Sequence, residues 1–152
     1  MKQFQYRLET VLDYKTQVLD NLKTEHAVIL QNVNRKREEI RGLNRELAGF
    51  QQEFDRTKEE GATIENYRLF DMCIGRMEQI IDEEKERLKV LRRQEEDKKK
   101  QVITAKVDTS KFEKLKDKKL KEYQKAVAKA DETFIEEFII GNTLRVRPQH
   151  RG

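Results

Sequence analysis

Apolar residues recur along the first half of the chain with alternating spacings of three and four. Fourteen positions keep this spacing without a break, and eleven of them are apolar. They are Leu8, Leu12, Lys15, Leu19, Leu22, His26, Ile29, Val33, Lys36, Ile40, Leu43, Leu47, Phe50 and Phe54. Such spacing places one narrow stripe on an α-helix and is typical of a coiled coil. The pattern predicts a long helix that packs its stripe on a second helix.

The second half of the chain repeats the pattern, with ten apolar residues among fourteen stripe positions. They are Tyr67, Phe70, Ile74, Met77, Ile81, Glu84, Leu88, Leu91, Glu95, Lys98, Val102, Ala105, Thr109 and Phe112. Between the two series, Gly61 tolerates the left-handed backbone of a helix end, and Thr63 can cap the next helix. A connection this short makes neighbouring helices antiparallel. The two stripes could also pair between chains, an alternative that the sequence leaves open.

We therefore predict an all-α fold, a long antiparallel two-helix coiled-coil hairpin with unequal arms. Helix one spans about residues 4–60, the turn 61–62 and helix two about 63–140, followed by a flexible basic tail at 141–152, all in a single domain. Folding about Gly61 places Phe4 and Leu8 opposite about residues 114–118 and leaves the chain beyond Leu120 unpaired. That overhang still carries an apolar stripe, formed by Leu120, Tyr123, Val127, Ala130, Phe134 and Phe138.

Composition supports a narrow apolar interface between the two helices, which we call the seam. Of 152 residues, 41% are charged and 36% are apolar, which is too few apolar residues for a layered globular core. The only proline, Pro148, lies near the carboxyl end, so no earlier residue must break a helix. One cysteine, Cys73, excludes an intramolecular disulfide and fits a reducing compartment. With neither a signal sequence nor a membrane span in the pattern, we expect a cytoplasmic protein.

Candidate chemistry is sparse. The two histidines, His26 and His150, have no nucleophile or metal-ligand pattern around them, so we expect no enzyme activity, no cofactor and no small-molecule ligand. His26, Lys15 and Lys36 interrupt the apolar stripe. Polar residues at such positions set the register of a coiled coil at some cost in stability.

A basic segment from Lys98 to Lys129 contains twelve lysines and four acidic residues, a local charge of about plus eight. Such a segment can neutralise phosphates, which makes nucleic acid a candidate partner. It contains no arginine for base readout, and Phe112 and Tyr123 lie on the apolar stripe rather than on a free face. A solvated face or an acidic protein partner is the favoured interpretation.

The bulkiest stretch of the second helix lies near the turn and contains Tyr67, Phe70, Ile74, Met77 and Ile81. Leu69, Met72 and Ile80 widen the stripe there beyond what a two-helix seam needs. This region is either a well-packed tip or an exposed interaction site, and the sequence leaves both open.

Three segments resemble the flagellar FliJ family, soluble components of the bacterial flagellar type III export apparatus. They are the opening Phe4–Lys15, the start of the second helix at Asn66–Phe70, and the lysine-rich Lys114–Tyr123. The resemblance implies a coiled coil similar to the central stalk of rotary ATPases. Its open ends would enter a hexameric flagellar export ATPase, and the protein would also contact the cytoplasmic domain of the export gate and bind export chaperones.

The resemblance also implies two sets of contact residues. Contacts with the export gate fall on Tyr67, Phe70, Ile74, Met77 and Ile81. Contacts with the ATPase ring fall on Phe4, Tyr6, Leu8, Leu12, Lys118, Lys119, Leu120 and Tyr123. Such a protein would be cytoplasmic and peripherally associated with the inner-membrane export apparatus.

Two hypotheses of different classes follow. In the first, the protein is a stalk that couples the ATPase ring to the gate and assists chaperone recycling. In the second, it is an export chaperone or adaptor that shields hydrophobic helices of substrates with the stripe from Leu120 to Phe138. A coiled-coil nucleic-acid-binding protein is a less favoured third possibility.

Overall fold

Two long helices form almost all of the computed structural model, which describes residues 2–146. Helix α1 spans Glu9–Glu60 and helix α2 spans Ile64–Val146, and no strand occurs within the described residues. This confirms the predicted all-α fold of two long helices joined by a short turn.

The turn occupies residues 61–63. Gly61 has a φ of 83°, in the left-handed region that favours glycine, and its N–H donates to the carbonyl of Thr57 at 3.0 Å. The Thr63 hydroxyl accepts a hydrogen bond from the N–H of Asn66 at 3.3 Å. This is the predicted cap of the second helix, and it satisfies one of the N–H groups that a helix start leaves free.

Both outer helix bounds differ from those expected from the sequence. Helix α1 begins at Glu9 rather than near Phe4, because the side chains of Phe4 and Tyr6 contact α2 and hold the backbone from Phe4 to Leu8 out of the helix. Helix α2 continues to Val146 rather than ending near residue 140. The part of the expected tail at 141–146 is thus helical, since nothing before Pro148 forces a break. The rest of that tail, 147–152, lies outside the described residues.

The chain divides into two compact units. One unit is formed by Val18–Ala105, and the other by Met1–Gln17 together with Lys106–Gly152. In each unit a portion of α1 packs on a portion of α2. The assignment of the whole chain to one domain stays a prediction.

The predicted stripes form the seam in both units. Every stripe residue except Phe50 is buried or half-buried, which confirms the periodicity as a packing pattern. Leu19, Val33, Ile40 and Ile81 form the most buried part of the Val18–Ala105 unit. In the other unit, Leu12 and Thr109 have this role.

Polar seam residues of the Val18–Ala105 unit are paired across the two helices. His26 Nε2 lies 2.8 Å from a carboxylate oxygen of Glu95, and Lys36 Nζ lies 2.6 Å from a carboxylate oxygen of Glu84. Hydrogen bonds from Lys36 to Glu39 and Glu84 raise the pKa of Lys36, and the bond from Lys36 lowers the pKa of Glu84. Each interruption of the apolar stripe on α1 therefore meets a carboxylate on α2.

The second unit follows the same rule at Lys15. Its ammonium lies 2.6 Å from Asp108, and its backbone carbonyl accepts a hydrogen bond from the buried Thr109 hydroxyl at 3.3 Å. These pairs support the interpretation of Lys15, His26 and Lys36 as residues that set the register.

Candidate interaction surfaces

The amino-terminal segment before α1 packs across α2 and forms one end of its unit. The rings of Phe4 and Tyr123 lie 5.6 Å apart between centroids. The Tyr123 hydroxyl donates to the carbonyl of Lys2, and the Tyr6 hydroxyl donates to the carbonyl of Phe112 at 3.1 Å. Aromatic contact and hydrogen bonds together fix this short segment on the helix.

These contacts correct the predicted register at the chain start. Phe4 meets Tyr123, beyond the predicted stretch of residues 114–118. The reason is that the segment before Glu9 is not helical, and chain outside a helix covers about 3.3 Å per residue instead of about 1.5 Å. Tyr123 is thus partnered within the chain, whereas the overhang was expected to begin after Leu120.

A groove of about 1030 Å³ lies between this segment and α2. Its apolar wall includes Phe4, Leu8 and Leu115, and Lys119 and Arg7 add positive charge to its lining. Nearby, Lys116 donates to Glu9 at 2.9 Å, and this hydrogen bond raises the pKa of Lys116. The groove therefore combines an open apolar surface with positive charge, and Lys119 also pairs with Glu122 of its own helix at 3.8 Å.

All predicted ring-contact residues lie in this unit, but they differ in solvent exposure. Leu12 is only 7% exposed and belongs to the core, so it offers no surface. Lys118 and Lys119 are exposed. The remaining members are half-buried; they are Phe4, Tyr6, Leu8, Leu120 and Tyr123.

The end near the turn carries a cluster of aromatic rings. Phe54 stacks on Phe70 with centroids 5.4 Å apart and meets Tyr67 edge-on at 6.2 Å. Lys58 Nζ lies 3.9 Å from the centroid of the Phe54 ring, and the Tyr67 hydroxyl accepts from the N–H of Ala62 at 3.2 Å. Tyr67 and Phe70 are therefore occupied in packing this tip.

An apolar flank beside that cluster is open. Leu69 is 57% exposed and Met72 is 68% exposed, whereas Ile80 is half-buried, so of the two alternatives left open by the sequence the exposed one holds for Leu69 and Met72. A groove of about 480 Å³ lies next to them and is lined mostly by apolar side chains, including Phe50, Met72 and Met77. Phe50 is the stripe residue that the helix pair leaves exposed, because a seam of two helices covers only part of a large side chain at its edge.

The predicted gate-contact residues lie along this end of α2. Ile81 is 3% exposed and packs in the core, while Tyr67, Phe70, Ile74 and Met77 are half-buried. The free surface is therefore displaced to the flank carrying Leu69 and Met72.

Near its carboxyl end, α2 exposes a third apolar surface, larger than the sequence pattern indicated. Six large apolar side chains are more than half exposed there: Phe134, Ile135, Phe138, Ile139, Ile140 and Leu144. The predicted stripe contained only Phe134 and Phe138 of this set. Extending the predicted helix past residue 140 would have added Leu144, since the helix continues to Val146, whereas Ile135, Ile139 and Ile140 lie off the stripe within the expected helix.

No candidate catalytic or metal-binding site is apparent among the described residues. Within residues 2–146 no group of three or more His, Cys, Asp or Glu side chains could hold a metal ion. Cys73 is exposed and is not in a disulfide. Neither described helix has a segment apolar and long enough to span a membrane.

Comparison with known proteins identifies the family. No curated protein and no solved structure matches the chain. The family described as flagellar FliJ protein matches residues 4–145, which confirms the resemblance seen in the sequence. Because this match covers nearly the whole chain, the protein belongs to the flagellar FliJ family, whose role is a non-enzymatic one in flagellar protein export.

Proposed function

We propose that the protein is a central stalk that couples the hexameric flagellar export ATPase to the export gate and assists the recycling of export chaperones. Two observations together support the proposal. The chain belongs to the flagellar FliJ family, and it has two exposed apolar grooves, one beside the amino-terminal segment and one near the turn. A coupling protein needs two such surfaces and no catalytic group of its own.

The surface for the ATPase ring is the end formed by the amino-terminal segment and α2. Two packed helices, each about 10–12 Å across, are narrow enough to enter the centre of a ring. Lys118 and Lys119 are exposed there and suit an acidic pore lining. The contacts of Phe4 and Tyr6 with α2 keep the chain start from fraying, so the end can transmit force.

The surface for the gate is the apolar flank near the turn. Met72 and Met77 line its groove, and flexible thioether side chains adapt to irregular partner surfaces. ATP-driven changes in the ring would act on the stalk at one surface and bias the gate through the other. The protein would thus work peripherally at the inner-membrane export apparatus, in the cytoplasm.

Stimulation of the cognate ATPase ring tests the proposal. Adding the protein is expected to raise the rate of ATP hydrolysis, and K118E/K119E is expected to abolish most of that rise. The matched control is K99E/K100E, which reverses two exposed lysines of the same helix in the other unit. An assembled ring that hydrolyses ATP equally fast with and without the wild-type protein would refute the stalk.

Binding to the isolated cytoplasmic domain of the gate tests the second surface. Exposed side chains can be changed here without touching the core, so L69E/M72E is expected to weaken binding while helicity stays unchanged. The control is V90E, on an exposed apolar residue of the same helix and unit. Equal loss with V90E would show that the flank is not the contact.

The exposed apolar residues between Phe134 and Leu144 favour one alternative, an export chaperone or adaptor that shields hydrophobic helices of substrates. In that case the protein would co-purify with unfolded export subunits and would leave ATP hydrolysis unchanged. Loss of subunit binding in F134A/F138A would support it.

A further inference from the structure

The carboxyl-terminal part of α2 has the chemistry of a docking helix. We call residues 131–144 the acidic arm, because they contain four carboxylates and no lysine or arginine. All six of its large apolar side chains are exposed, as described above. An isolated helix with this much bare apolar surface lowers its free energy by packing on a partner.

The preceding part of the same helix has the opposite charge. Residues 111–130 contain eight lysines and three acidic residues. This basic stretch borders the groove beside the amino-terminal segment, where Leu115 supplies apolar surface and Lys119 supplies positive charge. The groove is thus complementary to the acidic arm in both polarity and charge.

Helical periodicity places the complementary residues on one face. Lys119 and Glu137 are eighteen positions apart in α2, which is about five full turns at 3.6 residues per turn. Leu115, Ile140 and Leu144 all lie within about 60° of this direction and on the same side of it. A single face of one helix therefore carries a basic apolar half and an acidic apolar half.

We propose that the acidic arm docks in the groove of a second copy of this chain, forming a symmetric antiparallel dimer. A two-fold axis near Ala128 sets Lys119 of each copy opposite Glu137 of the other. The same axis sets Ile140 of each copy near Leu115 of its partner, so both grooves fill at once. Such an isologous contact closes on itself and does not continue into a filament.

The residues at the proposed crossing point suit close approach of two helices. Ala126 and Ala130 lie on the docking face on either side of Ala128, and both are exposed. Small side chains let helix backbones approach closely where they cross. On this face the register sets Lys119 opposite Glu137, an attractive pair, and Tyr123 opposite Thr133, so no like charges meet.

This dimer would cover the end of the protein that the proposed function assigns to the ATPase ring. Lys119, Tyr123 and Leu8 belong to both surfaces. A copy in the dimer could then not engage the ring, and the dimer would be a storage form. The inference itself does not depend on the ring, since it concerns only copies of this chain.

Sedimentation equilibrium of the full chain, from micromolar to millimolar concentration, tests the proposal. The wild-type protein is expected to associate reversibly into dimers. I140A/L144A is expected to raise the dissociation constant by roughly tenfold or more, since each copy loses both anchors. The matched control is I135A/I139A, which removes equally exposed side chains from a different face of the same arm and is expected to change the constant by less than about twofold.

A charge exchange tests the register. K119E and E137K alone are each expected to weaken the dimer, and the double variant K119E/E137K is expected to restore it. A wild-type protein that stays monomeric over the whole range would overturn the proposal, as would a dimer that resists I140A/L144A or responds equally to the control pair. A monomer whose acidic-arm variants lose binding only to the ATPase or to export subunits would overturn it in favour of a different partner.

Discussion

Replacing Leu19 by alanine would measure how much stability the seam provides. Leu19 is 7% exposed, and it lies in the core between α1 and α2 of the Val18–Ala105 unit. Truncation of a buried leucine costs about 2–5 kcal/mol of unfolding free energy through lost transfer and the cavity left behind. We expect about 2–3 kcal/mol here, because a seam only two helices wide borders solvent and water can enter the space.

Leu30→Ala is the matched control on the same helix. Leu30 is 40% exposed and lies outside the stripe, so its side chain gains less from folding than that of Leu19. We expect its truncation to lower the unfolding free energy by less than about 1 kcal/mol, within the range of surface substitutions. Both variants remove the same atoms, and leucine and alanine are both good helix formers. The difference between them therefore reports burial.

Urea unfolding followed by far-ultraviolet circular dichroism provides the measurement. Urea slopes for small proteins are about 1–3 kcal/mol per molar, so the Leu19 variant should shift the midpoint down by roughly 1–2 M at an unchanged slope. The transition should not depend on protein concentration at low micromolar values if the two stripes pair within one chain. Equal shifts for the two variants would refute the seam. A midpoint that depends strongly on concentration in this low micromolar range, and still does so in the I140A/L144A background that weakens the proposed dimer, would refute pairing within the chain.

Three further predictions follow from local geometry. Gly61→Ala should lower the unfolding free energy by about 1–2 kcal/mol, because the φ of 83° is unfavourable for alanine. Gly49 lies in a helix with open space around it, so Gly49→Ala should raise the unfolding free energy by as much as about 1 kcal/mol. Thermal melts of the two variants measure the difference. Lys36 lowers the pKa of Glu84, so Glu84 contributes stability that is complete above its ordinary pKa of about 4.3 and is lost as pH falls through the lower folded value. Glu84→Gln should therefore unfold with a weaker acid dependence, measured as urea midpoints at several pH values. Phe4→Ala should free the amino-terminal segment, and hydrogen exchange of the Glu9 N–H, which donates to the Tyr6 carbonyl, should accelerate while α2 stays protected.

Periodicity could predict the seam because burial in two packed helices depends on position along the stripe. Leu12 and Ile81 are core residues because their spacing places them on the face that packs against the other helix. The cap at Thr63 follows from the ability of its hydroxyl to accept a hydrogen bond from a nearby backbone N–H. The start of α1 could not be predicted in this way. Its position depends on Phe4 and Tyr6 contacting α2, more than a hundred residues away in sequence.

Exposure at the two proposed interaction surfaces was harder to predict for a related reason. A stripe pattern states that a side chain faces the partner helix, but it does not state how much of that side chain the partner covers. Phe50 is 43% exposed although it keeps the seam spacing, and Ile81 is nearly covered although it lies among the predicted gate contacts. How much of a side chain is covered depends on the sizes of the side chains that face it. Those facing residues can be identified only once the register of the two helices is known.

Charge arrangement distinguishes the two kinds of pairing available to this chain. Lys15 and Lys36 of the α1 stripe are cations, and the residues they meet on α2, Asp108 and Glu84, are carboxylates. Two copies of α1 would bring like charges together, so α1 favours α2. The carboxyl-terminal part of α2 differs because it carries both signs on one helix, lysines at 111–129 and carboxylates at 131–137. The same electrostatic rule that opposes self-pairing along the stripes therefore favours it at the acidic arm, and a ring that binds this end would have to compete with a second copy.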